Sequence, residues 1–156
     1  MTQKLKILTA VDLSDYSAAT VRYGIWMAEK TDAELILINV INQRDLDMVR
    51  RAMVGYDSFS FPNYLEEQIN DRKIKMQELF DGVAHGEINC SYLVKDGIPY
   101  YEILETIKVE APSMLILSTK GRSNLADVVV GSTARKLFRR CTIPMITIPA
   151  TYAQVP

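Results

Sequence analysis

A chain of 156 residues that is 48% hydrophobic and 24% charged has the make-up of one globular domain. At that length it buries about two-thirds of the surface its unfolded form exposes, so folding requires neither disulfide nor metal. The formal net charge of −1 leaves no electrostatic footprint for nucleic acid or an anionic membrane, and no apolar run approaches the length of a membrane span.

Met1-Thr2-Gln3-Lys4 runs straight into an apolar stretch too short for a secretory leader, so a soluble cytoplasmic protein is expected. Leu5 to Val11 reads as a buried strand that ends at Asp12. Ser14 is placed to cap a helix over 15–31, whose apolar face is Ala18, Val21, Ile25 and Ala28. Leu35 to Ile41 is a second strand interrupted only by Asn39, and such runs typify strands covered on both faces. Residues 42–62 lose any clear period and read as a long, mobile excursion containing at most a short helical turn. Tyr56, Phe59 and Phe61 in that segment either cover a ligand or hold the loop down. Leu65, Ile69, Met76, Leu79 and Val83 mark a long helix ending near Gly82 or Gly86.

Ile88 to Val94 is a third strand. Asp96-Gly97-Ile98-Pro99 turns the chain into a helix with Tyr100, Ile103, Leu104 and Ile107 on its buried face. Ser113 to Ser118 is a fourth strand. A helix starts near Gly131 and ends in Arg139-Arg140, cations suited to the negative end of its dipole. Ile143 to Ile148 is the fifth strand. This alternation predicts a single α/β domain over 1–156, a parallel sheet with helices on both faces.

The chemistry concentrates late in the chain. Ser118-Thr119-Lys120-Gly121-Arg122-Ser123-Asn124 follows the fourth strand, and Gly131-Ser132-Thr133 opens a helix. Glycine permits close backbone approach, and a helix start offers free N–H groups and a positive dipole end, so the two parts form a cradle for phosphates. Taken singly, Gly121 is equally a plain turn and Gly131-Ser132 a plain cap. In an open α/β sheet ligands sit at the strands' C-terminal ends where strand order reverses. Asp12 would face this segment there, accepting from ribose hydroxyls or a base, if the first and fourth strands are neighbours.

The ending Ala10-Val11-Asp12-Leu13-Ser14, the turn Gly97-Ile98-Pro99 before Glu102-Ile103-Leu104, and the stretch from Gly121 to Ser132 together resemble the universal stress protein family. The family's nucleotide signature is G-x2-G-x9-G-[ST]. Gly121, Gly131 and Ser132 match it, while Ser118 stands where the first glycine would be. The resemblance implies a five-stranded open sheet in order 3-2-1-4-5. It implies that Ala10 and Asp12 line adenine and ribose, with Val40 packing on the base. Ser118 and Gly121 would wrap the ribose and phosphates. Gly131, Ser132 and Thr133 would bind phosphate oxygens of ATP, with Mg or Mn carried on the ligand's outer side. It also implies a homodimer joined through the last strand, and Ile143, Met145, Ile146 and Ile148 form an apolar edge that such pairing would cover. The tail from Thr151 to Pro156 is the other cover for that edge.

Other chemistries find little support. His85 is the only histidine and reads as solvent-facing or capping. Cys90 and Cys141 form no C-x-x-C pair and read as free thiols packed in the interior. A zinc cluster, a Ser-His-Asp constellation and the pattern G-x4-G-K-[ST] are not evident. No general base for water stands out, so the expected function is nucleotide binding with hydrolysis weak or absent, in a regulatory module of the stress response. The alternatives are a dimeric interaction protein that has lost nucleotide binding, with Ser118 as the trace of that loss, and a slow ATPase or phosphotransferase.

Overall fold

The computed structural model describes residues 2–83, 85–121 and 130–152. Arg122, Ser123 and Asn124 of the phosphate-cradle segment, and the tail from residue 153 onward, lie outside them. Five strands, β1 (Lys6–Ala10), β2 (Glu34–Asn42), β3 (Cys90–Gly97), β4 (Met114–Ser118) and β5 (Met145–Ile148), pair in parallel. Their order is β3-β2-β1-β4-β5, as expected.

The period of two along each strand divides the core into two layers. Ile7, Leu35, Leu37, Ile116 and Ile148 face one side. There they meet Val21, Ile25 and Ala28 of α1 (Ser17–Thr31) and Met76 and Phe80 of α3 (Phe61–Asp81). Leu8, Ile36, Ile38, Leu115 and Leu117 face the other, against Ile103 and Ile107 of α4 (Pro99–Glu110) and Ala134 and Leu137 of α5 (Ser132–Arg140). Strands covered on both faces need apolar residues at every position, which is why β1, β2 and β4 read as unbroken runs. α1 lies close on β1 because Gly24 faces it: a Cβ there would sit 2.7 Å from Thr9 Oγ1.

The first helix begins at Ser17 rather than at 15. Asp12 and Ser14 use the intervening residues for a tight turn, and Ser14 Oγ accepts from the N–H of Tyr16 just ahead of the helix. The stretch 42–62 is not one long excursion. It contains α2 (Gln43–Ala52), and α3 already starts at Phe61, leaving 53–60 as the connection. α2 buries only Leu46, and Met48 is 61% exposed, so no apolar stripe announces it. Its ends carry it instead: Asn42 Oδ1 accepts from the N–H of Arg44, Asp45 lies in the first turn, and Arg50 and Arg51 in the last. Phe59 and Phe61 pack on Tyr64, and the Arg50 guanidinium lies 3.9 Å over the Phe61 ring. These aromatics hold the connection down.

Two smaller expectations also shift. Cys90 and Cys141 are free, as read, but both are half-buried rather than interior, at the start of β3 and the end of α5. β3 runs three residues beyond Val94, to Gly97, following β2 in register as far as Asn42. His85 is neither solvent-facing nor a helix cap: it is half-buried beyond the end of α3. Its ring lies 4.1 Å from that of Phe80, and Nδ1 is 2.8 Å from the carbonyl of Gly86. No helix among the described residues is long and apolar enough to cross a membrane.

Candidate functional site

The chain leaves β1 toward β2 on one side and reaches β4 on the other, so strand order reverses between β1 and β4. A cleft of about 420 Å³ opens there at the C-terminal ends of the strands. All eight residues singled out from the sequence line it: Ala10 and Asp12 after β1, Val40 on β2, Ser118 and Gly121 after β4, and Gly131, Ser132 and Thr133 at the start of α5. Tyr56, Phe59 and Phe61 are not among the lining residues.

Asp12 is fixed by its own turn. Oδ1 accepts from the N–H of Ser14 at 3.0 Å and from the hydroxyl of Ser17 at 3.1 Å. Leu13 between them takes a left-handed φ of 62°, a conformation that a side chain adopts at a cost of about 1–2 kcal/mol. The other carboxylate oxygen of Asp12 occupies the place a Cβ on Gly121 would need. Only glycine lets the chain after β4 come this near to Asp12.

The segment before Asp12 is pinned to β2 at both backbone atoms. The N–H of Val11 donates to the carbonyl of Ile38 at 2.9 Å, and the Val11 carbonyl accepts from Asn39 Nδ2 at 2.7 Å. Asn39 is 1% exposed, and its Oδ1 accepts from Arg72 of α3 at 2.9 Å. A buried amide with both ends engaged acts as a clamp between α3, β2 and the cleft floor. Sequence reasoning noted Asn39 only as an interruption in an apolar run. A polar residue inside a doubly covered strand was the available signal.

Ser118, the departure from the glycine signature, points into the layer shared with α1. Its hydroxyl pairs with that of Thr20, which in turn donates to the carbonyl of Tyr16. The added Cβ and hydroxyl are therefore housed by α1. At α5, the N–H of Gly131 donates to the carbonyl of Thr119 at 2.6 Å, tying the helix start to the end of β4. No side chain caps α5, so its first-turn N–H groups remain donors for whatever occupies the cleft. Among the described residues no group of three or more His, Cys, Asp or Glu side chains gathers as a metal-ligand set. Asn42, Arg44 and Asp45 also line the cleft and escaped sequence reasoning, because the helix that Asn42 caps and that carries Arg44 and Asp45 was not legible. Pro99 and Ile103 of α4 form an apolar wall.

The model of the universal stress protein family matches residues 5–149. The chain belongs to that family. Among relatives, the universal stress protein YxiE of Bacillus subtilis is 23% identical over 144 residues, covering 92% of this chain and 97% of its own. Among solved structures, protein MJ0577 of Methanocaldococcus jannaschii superposes with a TM-score of 0.75 at 19% identity, over 97% of this chain and 100% of that one. A universal stress protein in complex with cAMP gives a TM-score of 0.60 at 14% identity, covering 95% and 98%. The universal stress protein of Archaeoglobus fulgidus in complex with dAMP gives 0.57 at 10% identity, covering 94% and 98%. At these identities the superpositions establish the shared fold.

Proposed function

We propose that this universal stress protein binds an adenine nucleotide, ATP in preference, in the cleft between β1 and β4, and works as a homodimeric regulatory module of the stress response. The observation that carries the reading is the convergence of Asp12, Gly121 and the uncapped start of α5 on one cleft. Backbone donors at Ser132 and Thr133 suit phosphate oxygens, and the Asp12 carboxylate at the far end suits hydroxyls of a sugar. The volume falls within the range of small-molecule sites, about 300–1,000 Å³. Solved members of the family carry cAMP and dAMP, ligands of the same chemical class.

Ser118 does not weigh against this reading, since Thr20 holds its hydroxyl within the α1 layer. A divalent ion, Mg or Mn, would arrive on the phosphates and neutralise part of their charge. Among the described residues we assign no lining side chain as a base for an attacking water, and on that reading the bound nucleotide acts as a signal, with hydrolysis weak or absent. The setting we assign is the cytoplasm. The dimer would form through β5, which ends the sheet order and whose free backbone edge its own copy would pair; Met145 and Ile146 are half-buried there, Ile143 just precedes the strand, and Ile148 already belongs to the core.

The test begins with protein purified without added nucleotide, denatured, and its released small molecules identified by mass spectrometry. Stoichiometric adenine nucleotide supports the reading, as does a thermal shift with ATP and magnesium that follows ligand concentration. Gly131→Val should abolish that shift while leaving the far-UV circular dichroism unchanged. An empty protein with a flat ATP titration would refute the reading in favour of a dimeric interaction protein. Sedimentation equilibrium gives the mass, and a monomer at micromolar concentration would refute the dimer.

A further inference from the structure

We infer that the cleft continues into a second subsite, built by Arg44 and Lys136 outside the glycine–serine segment, that takes the outer phosphates of a polyphosphate ligand and so discriminates by chain length. The inference rests on the nucleotide reading above and goes further, naming residues that the family signature does not contain.

A hollow of about 210 Å³ adjoins the main cleft and shares Asn42, Arg44, Pro99, Ser132 and Thr133 with it. It adds Ile98, Tyr100 and Lys136. The two compartments differ in charge. Among the described residues Asp12 and Asp45 line the main cleft together with Arg44 and Lys120, whereas the hollow is lined by Arg44 and Lys136 and by no carboxylate. Among the described residues neither Arg44 nor Lys136 takes part in an ion pair. A ligand that spans both compartments would be hydroxylated toward Asp12 and strongly anionic toward Lys136.

The backbone reinforces the sign. α2, α4 and α5 all begin at this hollow, through Asn42 and Arg44, Ile98 and Pro99, and Ser132 and Thr133. α4 and α5 both start without a side-chain cap, so three positive dipole ends and two sets of free donors meet there. Lys136 lies four residues beyond Ser132 on the same face of α5, and helical side chains lean toward the N-terminus, which brings its ammonium back over the helix start. Tyr100 steadies that position, with Lys136 Nζ 4.8 Å and the Arg140 guanidinium 5.0 Å from its ring centroid. Arg44 lines both compartments, whereas Lys136 lies outside the main cleft and is left for the outer phosphates.

The experiment titrates the full chain by calorimetry with AMP, ATP and inorganic tripolyphosphate, each with magnesium. Wild type is compared with Arg44→Gln and Lys136→Gln, both of which are exposed and carry no fold. Each substitution should weaken ATP and tripolyphosphate about tenfold, the scale of one charge-assisted contact, and Lys136→Gln, outside the main cleft, should leave AMP unchanged. The loss should shrink at high salt. Equal weakening of AMP and ATP by Lys136→Gln, or ATP affinity untouched by both substitutions, would overturn the subsite while the nucleotide reading stands. Tripolyphosphate that binds and responds to the substitutions, in a protein that ignores ATP, would support the subsite and overturn the nucleotide reading. Failure of both ligands to bind would overturn both.

Discussion

Replacing Asn39 by alanine should loosen the fold and the cleft together. The side chain is 1% exposed, donates to the Val11 carbonyl at 2.7 Å and accepts from Arg72 at 2.9 Å. Loss of a neutral buried bond costs about 1 kcal/mol and loss of one to a charged group about 2, so Asn39→Ala should destabilise by about 3 kcal/mol. For a chain of this length each kcal/mol moves Tm by about 2–4 °C, giving a drop of about 6–12 °C. Circular dichroism melts measure the drop, and urea titration should show a lower midpoint at unchanged slope. A cycle with Arg72→Ala should reveal a coupling of about 1–2 kcal/mol between the two positions. A Tm within about 1 °C of wild type, or strict additivity in the cycle, would refute the clamp and the reasoning that the loop bearing Asp12 depends on it.

Three further outcomes are expected. Thr9 Oγ1 is buried with no hydrogen-bond partner, so Thr9→Val should raise stability by about 1 kcal/mol, read as an increase in Tm, and a fall would show an unrecognised partner for the hydroxyl. Ser118→Gly removes the hydroxyl pair with Thr20 and adds backbone freedom, at a combined cost of about 1–2 kcal/mol by urea denaturation, without weakening the nucleotide. Burial pushes the Cys90 thiol up to about 11 from 9.0, so in a Cys141→Ser background iodoacetamide at pH 8 should label it about a hundredfold more slowly than an ordinary thiol. The folded state then holds that proton more tightly than the unfolded state. Stability should therefore fall as pH rises from 9.0 through about 11, and burial of the Tyr92 phenol acts in the same direction at higher pH.

Most of the strand framework could be read in advance because doubly covered strands force continuous apolar runs, and Leu5 to Val11 and Leu35 to Ile41 both bear that mark. α2 could not, since it buries a single residue and owes its existence to capping and charge at its ends. The candidate site divides the same way. Asp12, Gly121, Gly131 and Ser132 stand in a recognisable spacing along the chain. Arg44, Lys136 and the Asn39–Arg72 pair belong to no contiguous pattern, because they come from four separate elements that only the fold sets in and behind the cleft.

The family, the strand order it implies and the glycine–serine segment are local properties, written in residue type and spacing. The tertiary structure alone decided how the odd residues are used. It turned Ser118 toward Thr20 and made Gly121 the one residue that fits against Asp12. It set the starts of α2, α4 and α5 around one hollow. The physical reason is range: apolar periodicity and capping act within a few residues. The close approach of two loops and the charge of a cavity depend on segments about a hundred positions apart, and only packing of both sheet faces brings those into contact.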